Sequence, residues 1–304
     1  MTGGRWRALL PIGPLSNIIR VLSMSLLRHL HAVNAWNPAR FRPLMLGDRR
    51  VGRVRRDVAD ALASFPAVFA VDDGAVGIVP TDAAPDALTA AIGLVTRRLS
   101  KDGLFGAWRN EWFDVRAEDD PTPLFRVDRG VLAHLGVRAY GVHLNGYVRR
   151  PDGIHLWIGR RAPGKAVDPD KLDNMVAGGM SAGHGPWSTL LKEAEEEASL
   201  PPAVAGRSVA AGIVSYVMER EGGSRDDVLY LYDLEMPEGV EPRPNDDEIT
   251  GFTLMPAADV LARVRDTDDF KFNVNVTLID FFVRHGLLKP GDPDYLAICR
   301  GLRR

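Results

Sequence analysis

Glu193, Glu196 and Glu197 are spaced i, i+3 and i+4 within the run 178–200, GGMSAGHGPWSTLLKEAEEEASL. On a helix turning about 100° per residue they share one face, while Glu195 points elsewhere. Three carboxylates on one face repel each other, and that costs stability unless a cation sits between them. Hard oxygen ligands of this kind suit Mg²⁺ or Mn²⁺. Such ions in turn suit phosphate substrates, because they neutralise oxygens that gain charge during displacement. The competing reading is a solvated acidic face, the ordinary fate of a charge run.

The elements that must hold these residues follow from periodicity. Trp187, Leu190, Leu191, Ala194 and Ala198 fall on one arc and predict the buried stripe of a helix from about Pro186 to Ser199, stopped by Pro201-Pro202. A glycine-rich loop over 177–183 precedes it. Upstream, 138–149 and 155–161 read as strands joined at Pro151-Asp152-Gly153. Downstream, strands are expected over 211–219, 228–234 and 249–255, and two closing helices near 257–265 and 274–285. In the first part of the chain, 58–65 and 84–99 look helical. There 67–71 and 75–79 look like strands around Asp72-Asp73-Gly74. Strands interleaved with helices predict an α/β mixed-sheet sandwich. The acidic, proline-bearing stretch 118–123 is the linker candidate. The expected division is a leader or helix over 1–24, an α/β domain over 25–125, and a second domain over 126–304.

Composition bounds the function. The 304 residues suggest two domains, at roughly 150 residues each. Lys+Arg number 38 against 40 Asp+Glu, a net charge of −2, so no basic excess points to nucleic acid. The single cysteine, Cys299, excludes an intramolecular disulfide and a cysteine-based zinc site, and fits a reducing cytoplasm. Apolar residues from Leu15 to Val33 recur at helical spacing, but Pro11, Pro14 and Arg20 interrupt the region, and no stretch resembles an integral membrane segment.

The glycine-rich turn followed at fixed distance by the glutamate face resembles the Nudix box, G-x5-E-x7-R-E-U-x-E-E-x-G-U, where U is a bulky aliphatic residue. Gly178 matches the first glycine, Glu193, Glu196 and Glu197 the three later glutamates, and Leu200 the last aliphatic. His184 stands where the box has its first glutamate; Lys192 replaces arginine, Ala194 a bulky aliphatic and Ser199 glycine. Lys192 keeps the charge but not the bidentate fork. The runs GVHLNGYV (141–148), LWIGRR (156–161), LDNMVAGG (172–179), EEEASLP (195–201), LYDLEMP (231–237) and IDFFVRHG (279–286) are similar to the Nudix subfamily carrying the domain of unknown function DUF4743. That group includes the Nudix domain fused to thiamine pyrophosphokinase in some fungi, and the resemblance covers roughly residues 25–304.

The resemblance implies a Nudix α/β/α sandwich with a mixed sheet, preceded by a small α/β domain, and hydrolysis of a diphosphate linkage. Plant and yeast relatives are associated with damaged or toxic thiamine diphosphate. Thiamine diphosphate or an oxidised analogue is therefore the expected substrate, giving the monophosphate and phosphate. Carried over by position, Glu193, Glu196 and Glu197 would bind Mg²⁺, with Mn²⁺ a substitute and the Ala177 carbonyl completing the shell. Glu193 and Glu197 are also the expected catalytic carboxylates. Glu248, in a D-D-E where the family has D-G-E, is a candidate further ligand or base. Lys271 and Asn273 sit in F-K-F-N, against the family's F-K-P-N, and are candidate substrate contacts. Arg160, Arg161 and Lys165 are candidates for gripping diphosphate oxygens, with plain surface charge as the alternative. Trp157 and Tyr216 could stack on a heterocycle or simply pack in the core, and His184 could replace a carboxylate or lie in an exposed loop. Two other functions stay open: a nucleoside-diphosphate-sugar or dinucleotide pyrophosphatase, and a Nudix-derived module that binds a phosphorylated ligand without cleaving it. The expected partner is a small molecule, and a homodimer is compatible with the sequence.

Overall fold

The computed structural model describes residues 25–118 and 120–303. The leader expected over 1–24, and with it the start of the helix expected from Leu15, lies outside these residues. The rest of that helix is α1, Leu27–Val33, whose Leu30 and Val33 are buried.

The first sheet starts with a hairpin of β1 (Phe41–Leu46) and β2 (Arg49–Arg55). It turns at Gly47, whose φ of +61° is left-handed and costs glycine nothing sterically. After α2 (Arg56–Leu62) come β3 (Phe69–Val71) and β4 (Val76–Ile78), joined where Asp72 Oδ1 accepts from the N–H groups of Gly74 and Ala75. The order is β2-β1-β4-β3, with β4 parallel to β1. The amphipathic α3 (Pro85–Lys101) buries Leu88, Ile92, Val95 and Leu99 in the same cluster as Leu44, Val54 and Leu62.

The stretch 118–123 is not a linker. It forms the tip of a hairpin between β5 (Trp112–Ala117) and β6 (Asp120–Asp128), whose Val115, Phe125 and Val127 join that cluster. Glu118 and Asp120 are engaged by arginines distant in sequence: Arg50 Nε donates to Glu118 at 2.8 Å and Arg49 to Asp120 at 3.1 Å. The cluster continues through α4 (Leu132–Leu135) to Val137.

The second sheet has seven strands, and its backbone order is β11-β12-β7-β8-β13. Strands β7 (Arg138–Arg150) and β8 (Gly153–Arg161) form a hairpin. The short β9 (Leu172–Asp173) pairs with β8, and β10 (Val176–Gly179) with β7. Helices α5 (Pro186–Ala198) and α6 (Pro202–Ala205) lead to β11 (Val209–Arg220), β12 (Gly223–Glu235) and β13 (Ile249–Pro256). Only β12 and β7 pair in parallel, so the sheet is mixed as expected. Then come α7 (Ala257–Asp266) and α8 (Phe272–Arg284). A third closing helix, α9 (Tyr295–Gly301), was not expected; the prolines and glycine at 290–293 mask a short helix of 7 residues that docks on Leu30 of α1.

Alternation on β7 divides the core. Val142 and Leu144 face α5, with Met175, Leu190 and Ala194. On the other face Tyr147 packs with α7 and α8 residues such as Val260, Leu278 and Phe281. The sheet therefore lies between helical layers. The two sheets meet at Asp226 on β12, which accepts from Arg53 of β2 at 2.8 Å and Arg138 of β7 at 3.0 Å. No helix among the described residues is long and apolar enough to cross a membrane.

Candidate active site at the glycine strand and helix α5

Strand β10 runs beside β7, with Ala177 opposite His143 and Gly178 opposite Val142. Glycine at 178 lets the Glu193 carboxylate lie against the strand: a Cβ there would fall 2.3 Å from the Glu193 carboxyl carbon and push that side chain away. The loop that follows is anchored from outside the second sheet. Ala182 N–H donates to the Trp112 carbonyl at 2.7 Å and Gly183 N–H to Asp114 Oδ2 at 3.0 Å, both on β5. Helix α5 starts at Pro186, a residue preorganised for the first helical position. Leu190, Ala194 and Ala198 are buried as predicted. Trp187 is not; it is 43% exposed and leans on Tyr232.

The glutamate face is graded in depth. Glu197 is 4% exposed, and its Oε2 accepts from the Ala177 N–H at 2.8 Å. Burial pushes its carboxyl well above the usual carboxylate range, and the charges of Asp173, Glu193 and Glu248 add to the effect. Burial also raises Glu193. Lys192 bridges Glu193, at 3.2 Å, to the exposed Glu196. Among the described residues no three acidic, histidine or cysteine side chains are gathered into a ready-made metal cage. The donor set nevertheless fits a hard divalent cation. Two desolvated carboxylates stand a turn apart with too little positive charge between them, and a third is held back by a lysine. Glu193 and Glu197 would hold such an ion, with Glu196 joining once Lys192 releases it.

A cavity of about 120 Å³ opens beside Ala177 and Gly178, with His143, Arg225, Lys271 and Asn273 in its wall. A wider cleft of about 580 Å³ shares Arg129, Arg225 and Asp227 with it. Lys271 Nζ lies 3.5 Å from Asp173. Burial alone would raise Asp173, but Lys271, His143 and Arg161 hold it below the usual range. Burial, helped by Lys271, pushes His143 down to about 4.

The residues singled out in the sequence are thus divided. Glu193, Glu197 and Ala177 meet, and Lys271 and Asn273 line the adjoining cavity. Glu248 is half exposed, pairs with Lys165 at 2.5 Å, and lies close enough for its charge to act on both buried glutamates. Arg160 turns outward to Asp170 at 3.1 Å. Arg161 is buried and spent on Asp173 at 2.7 Å and on the carbonyls of Val167 and Asp168, so it closes a loop rather than facing the cavity. Tyr216 is 1% exposed; its hydroxyl donates to Asp227 at 2.6 Å and its ring packs in the core, away from the cavity wall. Trp157 packs against the α5-side cluster, and His184 lies in the exposed loop before the helix. His143, Asp173, Arg225 and Asp227 were missed. The usable signal was His143 and Asn145 alternating with Val142 and Leu144, polar residues on the inner face of a strand otherwise reading as buried.

Residues 25–139 match the family described as domain of unknown function DUF4743, and residues 140–274 match the NUDIX domain. The chain is 36% identical over 266 residues to Nudix hydrolase 24, chloroplastic, of Arabidopsis thaliana, covering 86% of this chain and 73% of that protein. It is 34% identical over 272 residues to Nudix hydrolase 20, chloroplastic, of the same plant, with the same coverage. Among solved structures, DR0079 from Deinococcus radiodurans aligns with a TM-score of 0.41 and 22% identity, over 55% of this chain and 97% of that one. A Caenorhabditis elegans Ap4A hydrolase complex aligns with a TM-score of 0.37 and 14% identity, over 49% and 99%.

Proposed function

The chain belongs to the Nudix hydrolase family, and on that premise we propose that it cleaves the diphosphate linkage of a small organic diphosphate with Mg²⁺, or Mn²⁺ in its place. The observation that carries this reading is the pair of desolvated carboxylates, Glu193 against Gly178 and Glu197 bonded to the Ala177 N–H, beside a cavity with Lys271 in its wall. A bound divalent ion supplies charge neutralisation at phosphate oxygens and lowers the pKa of a coordinated water. The chain's own residues do the rest. Glu193 and Glu197 would hold the cation, with Glu196 and the Ala177 carbonyl as its further ligands. Glu248 takes the proton of the attacking water, which adds to phosphorus as the bridging oxygen leaves. Lys271 and Asn273 hold the substrate. The products are a monophosphate and inorganic phosphate.

Thiamine diphosphate or an oxidised analogue is the proposed substrate, supported by the resemblance to the DUF4743 group. The rival reading, a phosphate-ligand module without turnover, draws on Lys192, which already neutralises Glu193 and Glu196. A phosphate-release screen over organic diphosphates with Mg²⁺ and Mn²⁺ separates the two. Release from thiamine diphosphate or its oxidised forms supports the proposal. Tight binding with no release from any compound gives the binding module. Cytoplasmic residence, supported by the lone Cys299, is checked by cell fractionation against the plastid placement in the names of the plant relatives.

A further inference from the structure

A chain of buried amides leaves the cavity with a hydrogen-bond acceptor of defined polarity. It begins at Asp233 on β12, which accepts from Arg284 at 3.1 Å and meets His285 Nε2 at 2.9 Å. Those partners hold its carboxyl below the usual range against the effect of burial. An ionised carboxylate only accepts. Asn145 must therefore turn its Nδ2 to Asp233 Oδ1, at 3.0 Å, which leaves its own Oδ1 facing Asn174. Asn174 in turn donates its Nδ2 to Asn145 Oδ1 at 2.7 Å, so its Oδ1 faces His143. Thr277 Oγ1 lies 2.8 Å from that same Oδ1 and 2.9 Å from the Val274 carbonyl, two acceptors for its one proton. An amide oxygen cannot donate, so His143 Nδ1, at 2.8 Å, must carry the proton.

The other ring nitrogen, Nε2, is then the bare one. It has no protein partner among the described residues, and His143, only 3% exposed, lines the cavity beside Ala177 and Gly178. A second acceptor stands in the same wall: Asn273 is 4% exposed and its buried Oδ1 finds no donor. A desolvated acceptor left unpaired, as Asn273 Oδ1 is, is costly, and with His143 in the same cavity wall a ligand that brings donors satisfies both acceptors while one that lacks them leaves the cost in place.

We infer that His143 is a specificity-determining residue: through a bare Nε2, and together with Asn273 Oδ1, it selects diphosphates whose organic part carries an N–H or O–H donor. This rests on the cavity being the substrate site. It adds a substrate class to that reading and a reason for the run of buried asparagines behind the sheet. Arg284 and His285 on α8 act on it only through the tautomer they impose.

The test has two arms. Nitrogen-15 spectra of histidine-labelled protein, with the His143 signals assigned by their loss in His143→Gln, read the tautomer directly. The expected result is a protonated Nδ1 and a bare Nε2 whose resonance shifts when thiamine diphosphate is added without metal. A protonated Nε2, or a resonance unmoved by the ligand, overturns the inference. In the second arm, KM is measured for thiamine diphosphate, which carries an amine, and for isopentenyl diphosphate, whose hydrocarbon chain has no donor. His143→Phe should raise the ratio of the two KM values at least about tenfold, and His143→Gln, which restores an acceptor, should bring most of it back. An unchanged ratio overturns the inference. If wild-type protein hydrolyses neither compound, thiamine diphosphate fails as the substrate, and the nitrogen spectra still decide the role of His143.

Discussion

Glu197 sits where water cannot reach it, with one backbone N–H for company, and that placement has a thermodynamic consequence. Its folded-state pKa is raised, so the native protein holds this proton more tightly than the unfolded chain does. Without metal, the contribution of Glu197 to stability is therefore favourable at low pH and is lost as pH rises from the ordinary carboxylate range through the folded value. Metal-free wild type should lose melting temperature relative to Glu197→Gln on going from pH 5 to pH 7, with the variant melting at least as high as wild type at pH 7. A parallel melting series in EDTA checks this; a wild type that gains stability on going up to pH 7 through this residue would contradict it. With Mg²⁺ the same variant should release phosphate about 10²-fold more slowly, the loss of roughly 3 kcal/mol of transition-state stabilisation. Gly178→Ala acts on the neighbouring ligand. The added methyl meets the flexible end of Glu193 rather than backbone, so the carboxylate is displaced and the fold is kept. Turnover should fall by about tenfold or more with stability changed by less than about 1 kcal/mol, as compared by phosphate release and denaturant melts.

Helix α5 and strand β5 show how much of the site could be read before the fold was known. The helix was legible because its face is local: glutamates three and four apart meet on any helix, and Leu190, Ala194 and Ala198 mark the buried side. Its turn chemistry is local too. Strand β5 was not legible as part of the site, since its role depends on contacts across about seventy residues of chain, from Asp114 to Gly183 and from Trp112 to Ala182. The same blindness made 118–123 look like a linker, because acidic residues paired to Arg49 and Arg50 are indistinguishable in sequence from solvated ones. It left Tyr216 with two readings until β11 and β12 were seen to pair around it. The buried Asp114, held by Arg116 and Arg126, braces the loop that feeds α5. Asp114→Ala should speed amide exchange over 181–185 and leave 190–198 protected, while Asp114→Asn, which keeps an acceptor for Gly183 N–H, should preserve most of the protection. Equal exchange in wild type and the alanine variant would mean the loop holds itself.

At the scale of the molecule, the sheet that carries the site is tied to the first sheet by charge as much as by apolar contact. Arg53 of β2 and Asp226 of β12 are both buried, and Arg138 completes the cluster with a second bond to the carboxylate. Beside it, the backbone of Gly52 lies so close to α4 that a Cβ would fall 2.5 Å from the Leu135 carbonyl, and Arg53 N–H donates to the Gly136 carbonyl at 3.2 Å. The wider cleft opens on this seam, with Arg129 on one wall and Arg225 on the other. Removing the carboxylate strands Arg53 and Arg138 with no equal acceptor, a kind of change that costs about 3–5 kcal/mol when the charges are fully buried. Glu118 at 3.8 Å from Arg53 and the Trp36 ring beneath the guanidinium soften it, so the lower end of that range is expected for Asp226→Asn. The loss should appear in one cooperative unfolding transition, because the bond joins the two sheets rather than bracing either alone. Calorimetry on wild type and variant measures both points. Two separated transitions in the variant, with the first sheet melting at its wild-type temperature, would show instead that the sheets fold independently and that the seam only aligns the cleft.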